Sequence, residues 1–308
     1  MLERSDLTPR ADLVALFPGQ GSIAAGAGRP WRDTPYWGLV SRIAEAAEMD
    51  VAHLLLDAPD EEVIRTDHAQ VATFALSMIG FSALLDAGVR PATHLGHSLG
   101  EFSALVGAGI LGLADGSRLI AARGRAMADA ARLRPGSMVA LMGGDDEARR
   151  RLAELDDVWI ANVNGTGQIV VSGATGALDR LVETARELGW RRATPLPVGG
   201  AFHSPLMAPA QAALDRALAA STWTASPITV VANVDARPHP ASDWRELLAR
   251  QLTSPVEFLD ATLALPDTAR VTIEMPPGAI LSGLTKRIRD FDQQVILTSP
   301  EAVQEVPQ

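Results

Sequence analysis

A chain of 308 residues, 47% hydrophobic and 21% charged, is long enough for one large domain or two smaller ones. Its net charge of -10 is the wrong sign for nonspecific nucleic-acid binding and argues against docking on anionic membranes, although a local basic patch for an acidic partner stays compatible with it. The absence of cysteine excludes disulfides, thiolate zinc sites and cysteine nucleophiles, and gives secretion no support.

The N-terminal stretch is charged and interrupted by Pro9, and its apolar piece Leu13–Phe17 is too short for a signal core. No apolar run is expected to approach the ~20 residues of a membrane span, so the expected location is cytoplasmic. Leu13–Phe17 reads instead as a buried strand running into the glycine turn PGQGS. Val71, Phe74, Ala75, Met78, Ser82 and Leu85 then recur at helical spacing, with Gly88 as the stop. The stretch PATHLGHSLGEFSALVGAGIL follows as a short strand, a sharp turn at Ser98 and a helix of small residues.

From Gly136 to Val198 the texture changes. SMVALMG, WIANVNG, QIVVSG and RRATPLPV read as strands, with helices expected at Asp145–Leu155 and Ala177–Leu188. Strand, helix, strand, strand, helix, strand is the split βαβ order of a ferredoxin-like unit. The expected organisation is a small subdomain, residues 136–198, inserted in a larger α/β body made of residues 1–135 and 199–308. ITVVANV and ARVTIEM are the next strands, and the polar tail after Thr298 is expected to fray.

Gly96-His97-Ser98-Leu99-Gly100 fits the G-x-S-x-G nucleophile elbow. A serine on a strained turn between strand and helix leaves no room for side chains two residues to either side. Its hydroxyl then lies near a helix N-terminus, where the Leu99 N–H is the natural first oxyanion donor. The same pentapeptide also fits a surface serine in a glycine turn, and it does not separate a hydrolase from a transferase.

Such a serine needs a base, usually an imidazole. Of the six histidines, His94 and His97 lie on the nucleophile strand itself, and His53 and His68 sit in helical or loop contexts. His203, in VGGAFHSPLM, follows the final strand of the small subdomain where the chain re-enters the larger body, and leads on that context. The FPGQGS turn could supply a second oxyanion donor, or simply end a strand.

Arg123 is the most informative charge. Leu119, Arg123, Ala126, Met127 and Ala130 form one helical stripe, whereas Arg118, Arg125 and Arg132 share another, solvated face. An arginine in an apolar stripe must find an anion, and its planar fork matches a carboxylate. A structural ion pair with an internal Asp or Glu, or a snorkelling side chain, would satisfy it equally well.

Taken together, FPGQGS, GHSLGEFSAL, the ARGRAM helix, NVNGTGQIVVSG, GAFHSPLM and QLTSPVEF occur in the order found in malonyl-CoA:acyl carrier protein transacylases, and the chain resembles that family over roughly residues 12–295. Polyketide synthase acyltransferase domains share the pattern. The resemblance implies an α/β-hydrolase-like large subdomain carrying an inserted ferredoxin-like small one, with the active site between them. It implies Ser98 as nucleophile, His203 as base, Arg123 as the clamp on the malonyl carboxylate, and the Gln20 and Leu99 amides as the oxyanion hole. It implies that the main-chain carbonyl of Gln251 orients the histidine. The implied reaction is ping-pong: Ser98 takes a malonyl-type group from coenzyme A, which serves as a substrate, and passes it to an acyl carrier protein. The resemblance calls for no metal or redox cofactor and suggests a monomer.

Ile23 and Phe102 depart from common family residues, and neither is expected to touch the chemistry. Phe202 resembles the malonyl-selecting polyketide pattern, since a ring there fills the space an α-methyl branch needs; one methyl is worth only ~1–3 kcal/mol in such a pocket. The GAFH form favours a stand-alone enzyme serving a polyketide assembly line over a housekeeping fatty-acid enzyme. The alternatives are a thioesterase or acyl hydrolase on the same scaffold, a transferase moving a different acyl group between carrier proteins, and a non-catalytic docking protein.

Overall fold

The computed structural model describes residues 6–307. The first half runs β1 (Arg10–Phe17), α1 (Gly38–Ala47), α2 (Val51–Leu56), α3 (Asp60–Val63), α4 (Thr66–Asp86), β2 (Pro91–Gly96), α5 (Leu99–Gly107) and α6 (Leu113–Leu133). Then come β3 (Gly136–Met142), α7 (Asp146–Leu152), β4 (Val158–Gly165), β5 (Gln168–Ala174), α8 (Thr175–Thr184) and β6 (Arg192–Pro195). The chain continues with α9 (Gln211–Ala219), β7 (Thr229–Val231), α10 (Trp244–Gln251), α11 (Phe258–Leu263), β8 (Val271–Glu274), α12 (Ile280–Thr285) and β9 (Gln293–Ile296).

Five strands form a parallel sheet in the order β7-β2-β1-β8-β9, so the first apolar run of the chain becomes the central strand. A parallel strand covered on both faces reads as an unbroken hydrophobic run, and Leu13 through Phe17 are all fully buried. Alternate residues serve opposite faces. Leu13, Ala15 and Phe17 join the core under α4 and α6, whereas Val14 and Leu16 join Val256, Phe258 and Leu281 on the other side.

α4 corrects the expectation that no apolar run approaches the length of a membrane span. Its 21 residues are apolar enough to cross a membrane by length and composition, but Gln70, Thr73, Ser77, Gly80 and Ser82 interrupt them, and the helix is packed into the core. It is the one such helix among the described residues.

The second sheet is antiparallel, ordered β4-β5-β3-β6, with α7 and α8 interleaved in the chain as a ferredoxin-like unit requires. It has its own core around Leu141, Val171, Leu178, Leu181 and Trp190. Its outer strand is tied to the larger sheet's side of the molecule. The Val163 N–H donates to the Val256 carbonyl and the Val256 N–H to that of Ala161, each at 2.9 Å.

β9 adds a further strand at the sheet edge beside β8. One sequence expectation, for the C-terminal tail, needs correction. The tail after Thr298 does not fray over the described residues: Pro300–Glu305 is a 3-10 turn, and Ala302, Val303 and Val306 are buried against the core. Three apolar side chains among polar ones are enough to dock it.

Candidate active site

The site starts from the strain at Ser98, whose φ of 54° and ψ of -111° lie where a non-glycine residue persists only if its surroundings hold it. The glycines explain how the chain turns there. A Cβ on Gly96 would lie 2.1 Å from the Gly100 carbonyl carbon, and one on Gly100 would lie 1.9 Å from the Phe17 carbonyl oxygen. Both obstacles are backbone and cannot swing aside. Gly100→Ala is therefore expected to destabilise the fold by about 3 kcal/mol or more; a urea-unfolding loss below about 1 kcal/mol would show that the turn has room.

Asn233 holds the strained turn from the end of β7. Its Oδ1 accepts the Ser98 N–H at 2.7 Å, and its Nδ2 donates to the Gly96 carbonyl at 2.8 Å. Leu99 opens α5, and Gln20 opens the 3-10 turn Gln20–Ser22; neither helix start has a side-chain cap. First-turn amides have no partner within their own helix. The two turns lie side by side, since the His97 N–H donates to the Phe17 carbonyl at 3.1 Å.

His203 meets Ser98 across 105 residues of chain, with Nε2 at 2.7 Å from Oγ. Its Nδ1 is 2.9 Å from the Gln251 carbonyl oxygen, which can only accept, so Nδ1 carries the proton and Nε2 is free to accept the Ser98 hydroxyl proton. Burial, reinforced by the Arg123 charge, pulls His203 down to about 3, and the ring is neutral near pH 7. Like Ser98, His203 has a positive φ, 56°.

The other histidines are engaged elsewhere. His94 is buried against Phe17 and Phe81 with Nδ1 on the Ala104 carbonyl, and His97 Nε2 donates to Asn164 at 2.9 Å. His53 faces Glu62, His68 lies between Glu62 and Asp67, and His239 lies between Asp235 and Asp243.

Arg123 is 1% exposed, which rules out snorkelling. Nor is it consumed by an ion pair among the described residues: its guanidinium meets neutral groups. Nη1 donates to Gln70 Oε1 at 2.7 Å, and Nη2 donates to Gln251 Oε1 at 3.0 Å and to Ser98 Oγ at 3.1 Å. Its Nε is buried with no acceptor among the described residues. Burial pulls Arg123 down to about 10, with the Glu101 charge opposing, and it stays cationic at neutral pH. Its neighbours on the solvated stripe, Arg118, Arg125 and Arg132, are exposed as expected.

Phe102 corrects a sequence expectation. Its ring centroid is 5.4 Å from Arg123 Cζ, so the aromatic at this position does touch the buried guanidinium beside Ser98, through a cation–π contact. Phe202 is buried beside His203, and its carbonyl accepts the hydroxyl of Ser172 from β5.

The residues that hold this constellation were not legible in the sequence. Glu101, 1% exposed, accepts the Asn233 N–H at 2.6 Å and the Gln251 side-chain amide at 2.5 Å. Burial pushes Glu101 up to about 7, against those hydrogen bonds and the Arg123 charge. In sequence it looks like an ordinary acid in the first turn of a helix. Gln70 gave the better signal, as an amide at a fully buried position of an apolar helix.

A serine on a strained turn, a neutral imidazole at 2.7 Å and a buried cation at 3.1 Å suit acyl transfer through a covalent serine ester. The family model described as acyl transferase domain matches residues 14–298. The chain belongs to the acyl transferase family. Among acyl transferase relatives, the malonyl CoA-acyl carrier protein transacylase of Bacillus subtilis (strain 168) is 35% identical over 301 residues, covering 95% of each chain. The crystal structure of the malonyl-CoA:acyl carrier protein transacylase of Xanthomonas oryzae pv. oryzae matches with a TM-score of 0.91 at 35% identity, covering 97% of this chain and 98% of that one. A solved complex of a type II PKS acyl-carrier protein with its malonyl-transacylase matches with a TM-score of 0.89 at 29% identity, covering 95% and 98%.

Proposed function

We propose that this acyl transferase moves a malonyl group from coenzyme A to the phosphopantetheine thiol of an acyl carrier protein through an ester on Ser98. The observation that carries the reading is the 3.1 Å contact between a buried, acid-free guanidinium and the nucleophile. One site thereby offers a nucleophile for a thioester and a cation for the far end of a short diacid. The relatives named malonyl transacylases, and the complex with a carrier protein, support the same donor and acceptor.

Ser98 Oγ attacks the thioester carbonyl as His203 Nε2 takes its proton, and the Leu99 and Gln20 amides receive the developing oxyanion. The imidazolium returns that proton to the departing coenzyme A thiolate. The carrier thiol then repeats the sequence in reverse. Throughout, Arg123 holds the free carboxylate, whose negative charge offsets the cation that otherwise disfavours imidazolium formation. Fixing both ends of the acyl group lowers the entropic cost of each transfer. The chemistry requires no resident cofactor.

In this reading residues 136–198 form the small subdomain, inserted between the 1–135 and 199–308 parts of the catalytic body. The buried Phe202 ring favours malonyl over α-branched donors, and the enzyme works in the cytoplasm.

Intact-protein mass spectrometry tests the proposal. Malonyl-CoA alone is expected to leave one malonyl adduct, mapped to Ser98, that holo carrier protein then removes and carries. Release of free malonate with no carrier-dependent transfer would favour a hydrolase instead.

A further inference from the structure

We propose that the Gln251 side chain is a spacer: it holds the Glu101 carboxylate away from Arg123 and so keeps the guanidinium open to the free carboxylate of the acyl donor. This goes beyond the role of the Gln251 main-chain carbonyl, and it rests on the reading of Arg123 given above.

The side chain of Gln251 is fully buried and every polar atom in it is used. Oε1 accepts Arg123 Nη2 at 3.0 Å, while Nε2 donates to Glu101 Oε2 at 2.5 Å and to the Ser98 carbonyl at 2.9 Å. A single amide therefore stands between a buried acid and a buried base, presenting its oxygen to the cation and its nitrogen to the anion. Opposite charges brought together in a water-poor interior attract strongly, and Glu101 and Arg123 already feel one another's charge. Direct pairing would satisfy Arg123 internally, and a donor carboxylate would then have to displace Glu101. The amide prevents that closure at no cost in unpaired groups. Glu101 is meanwhile retained because its other oxygen accepts the N–H of Asn233, the residue that clamps Ser98.

Gln251→Ala removes the amide and keeps the main-chain carbonyl. The ratio of malonyl to acetyl loading rates on Ser98 is expected to fall about 10-fold or more, through a higher KM for malonyl-CoA. Adding Glu101→Gln removes the competing charge and is expected to restore most of that ratio. A ratio that does not change, an equal fall for both donors, or a double variant no better than Gln251→Ala would overturn the proposal. Gln251→Met, which keeps the volume without the bridge, is expected to lose the same preference; it carries the test if circular dichroism shows the alanine variant unfolded. Arg123→Ala in the same assay separates the two levels of the argument. If it leaves the malonyl preference intact, the carboxylate-clamp reading fails. If it removes the preference while Gln251→Ala does not, only the spacer fails.

Discussion

His203→Asn is expected to slow the loading of Ser98 from malonyl-CoA by about 10⁴-fold, the scale of a lost general base. Asparagine suits the position better than alanine because residue 203 has a φ of 56°, a region that asparagine tolerates and alanine enters at a cost of roughly 1 kcal/mol. The variant keeps the backbone route past Gln251 and removes the only imidazole that reaches the Ser98 hydroxyl among the described residues. Rapid-quench measurement of the acyl-enzyme reports the effect without waiting for turnover. A loss smaller than about 10-fold would mean that another group takes the serine proton.

The second large effect belongs to Arg123→Ala. Loss of a buried, hydrogen-bonded partner for the donor carboxylate is expected to cut malonyl loading by about 10²–10³-fold. Acetyl loading is expected to move the other way. Without a donor carboxylate the arginine charge opposes proton uptake by His203, one of the causes that holds the imidazole so low, and removing the charge relieves that opposition. The melting temperature is expected to fall, since Gln70 and Gln251 each lose a buried donor and the missing side chain leaves a cavity. Loading rates for both donors, with melting curves for the variant, check all three statements.

These effects show which parts of the site the sequence disclosed. The nucleophile turn was legible because its chemistry is local: two glycines within five residues, each facing backbone that excludes a Cβ. Arg123 was legible as a charge in an apolar stripe, but its partners were not. Gln70 lies 53 residues before it and Gln251 lies 128 after it, and no periodicity links them. His203 was placed by its re-entry context and by resemblance, while its tautomer rests on a carbonyl 48 residues away. Glu101 was invisible as a hub because its partners, Asn233 and Gln251, are more than 130 residues distant.

The fold divides in the same way. The α/β-hydrolase-like body came from the family resemblance, whereas the buried first strand and the ferredoxin-like order were readable from apolar runs and their sequence. Short or weakly patterned pieces were not: the four-residue β9 strand, and the polar tail docked by Ala302, Val303 and Val306. The contact of Phe102 is equally hidden, because a helical aromatic beside the elbow looks like ordinary core until Arg123 folds against it.

The most direct measurement compares the loading of Ser98 in the unaltered enzyme from malonyl-CoA and from its half-methyl-ester analogue, which keeps the thioester and nearly the same shape but lacks the negative charge. Recognition of the acyl group by the buried guanidinium predicts loading at least about 100-fold slower from the ester. Equal loading from both donors would contradict that recognition, whatever the fate of the serine.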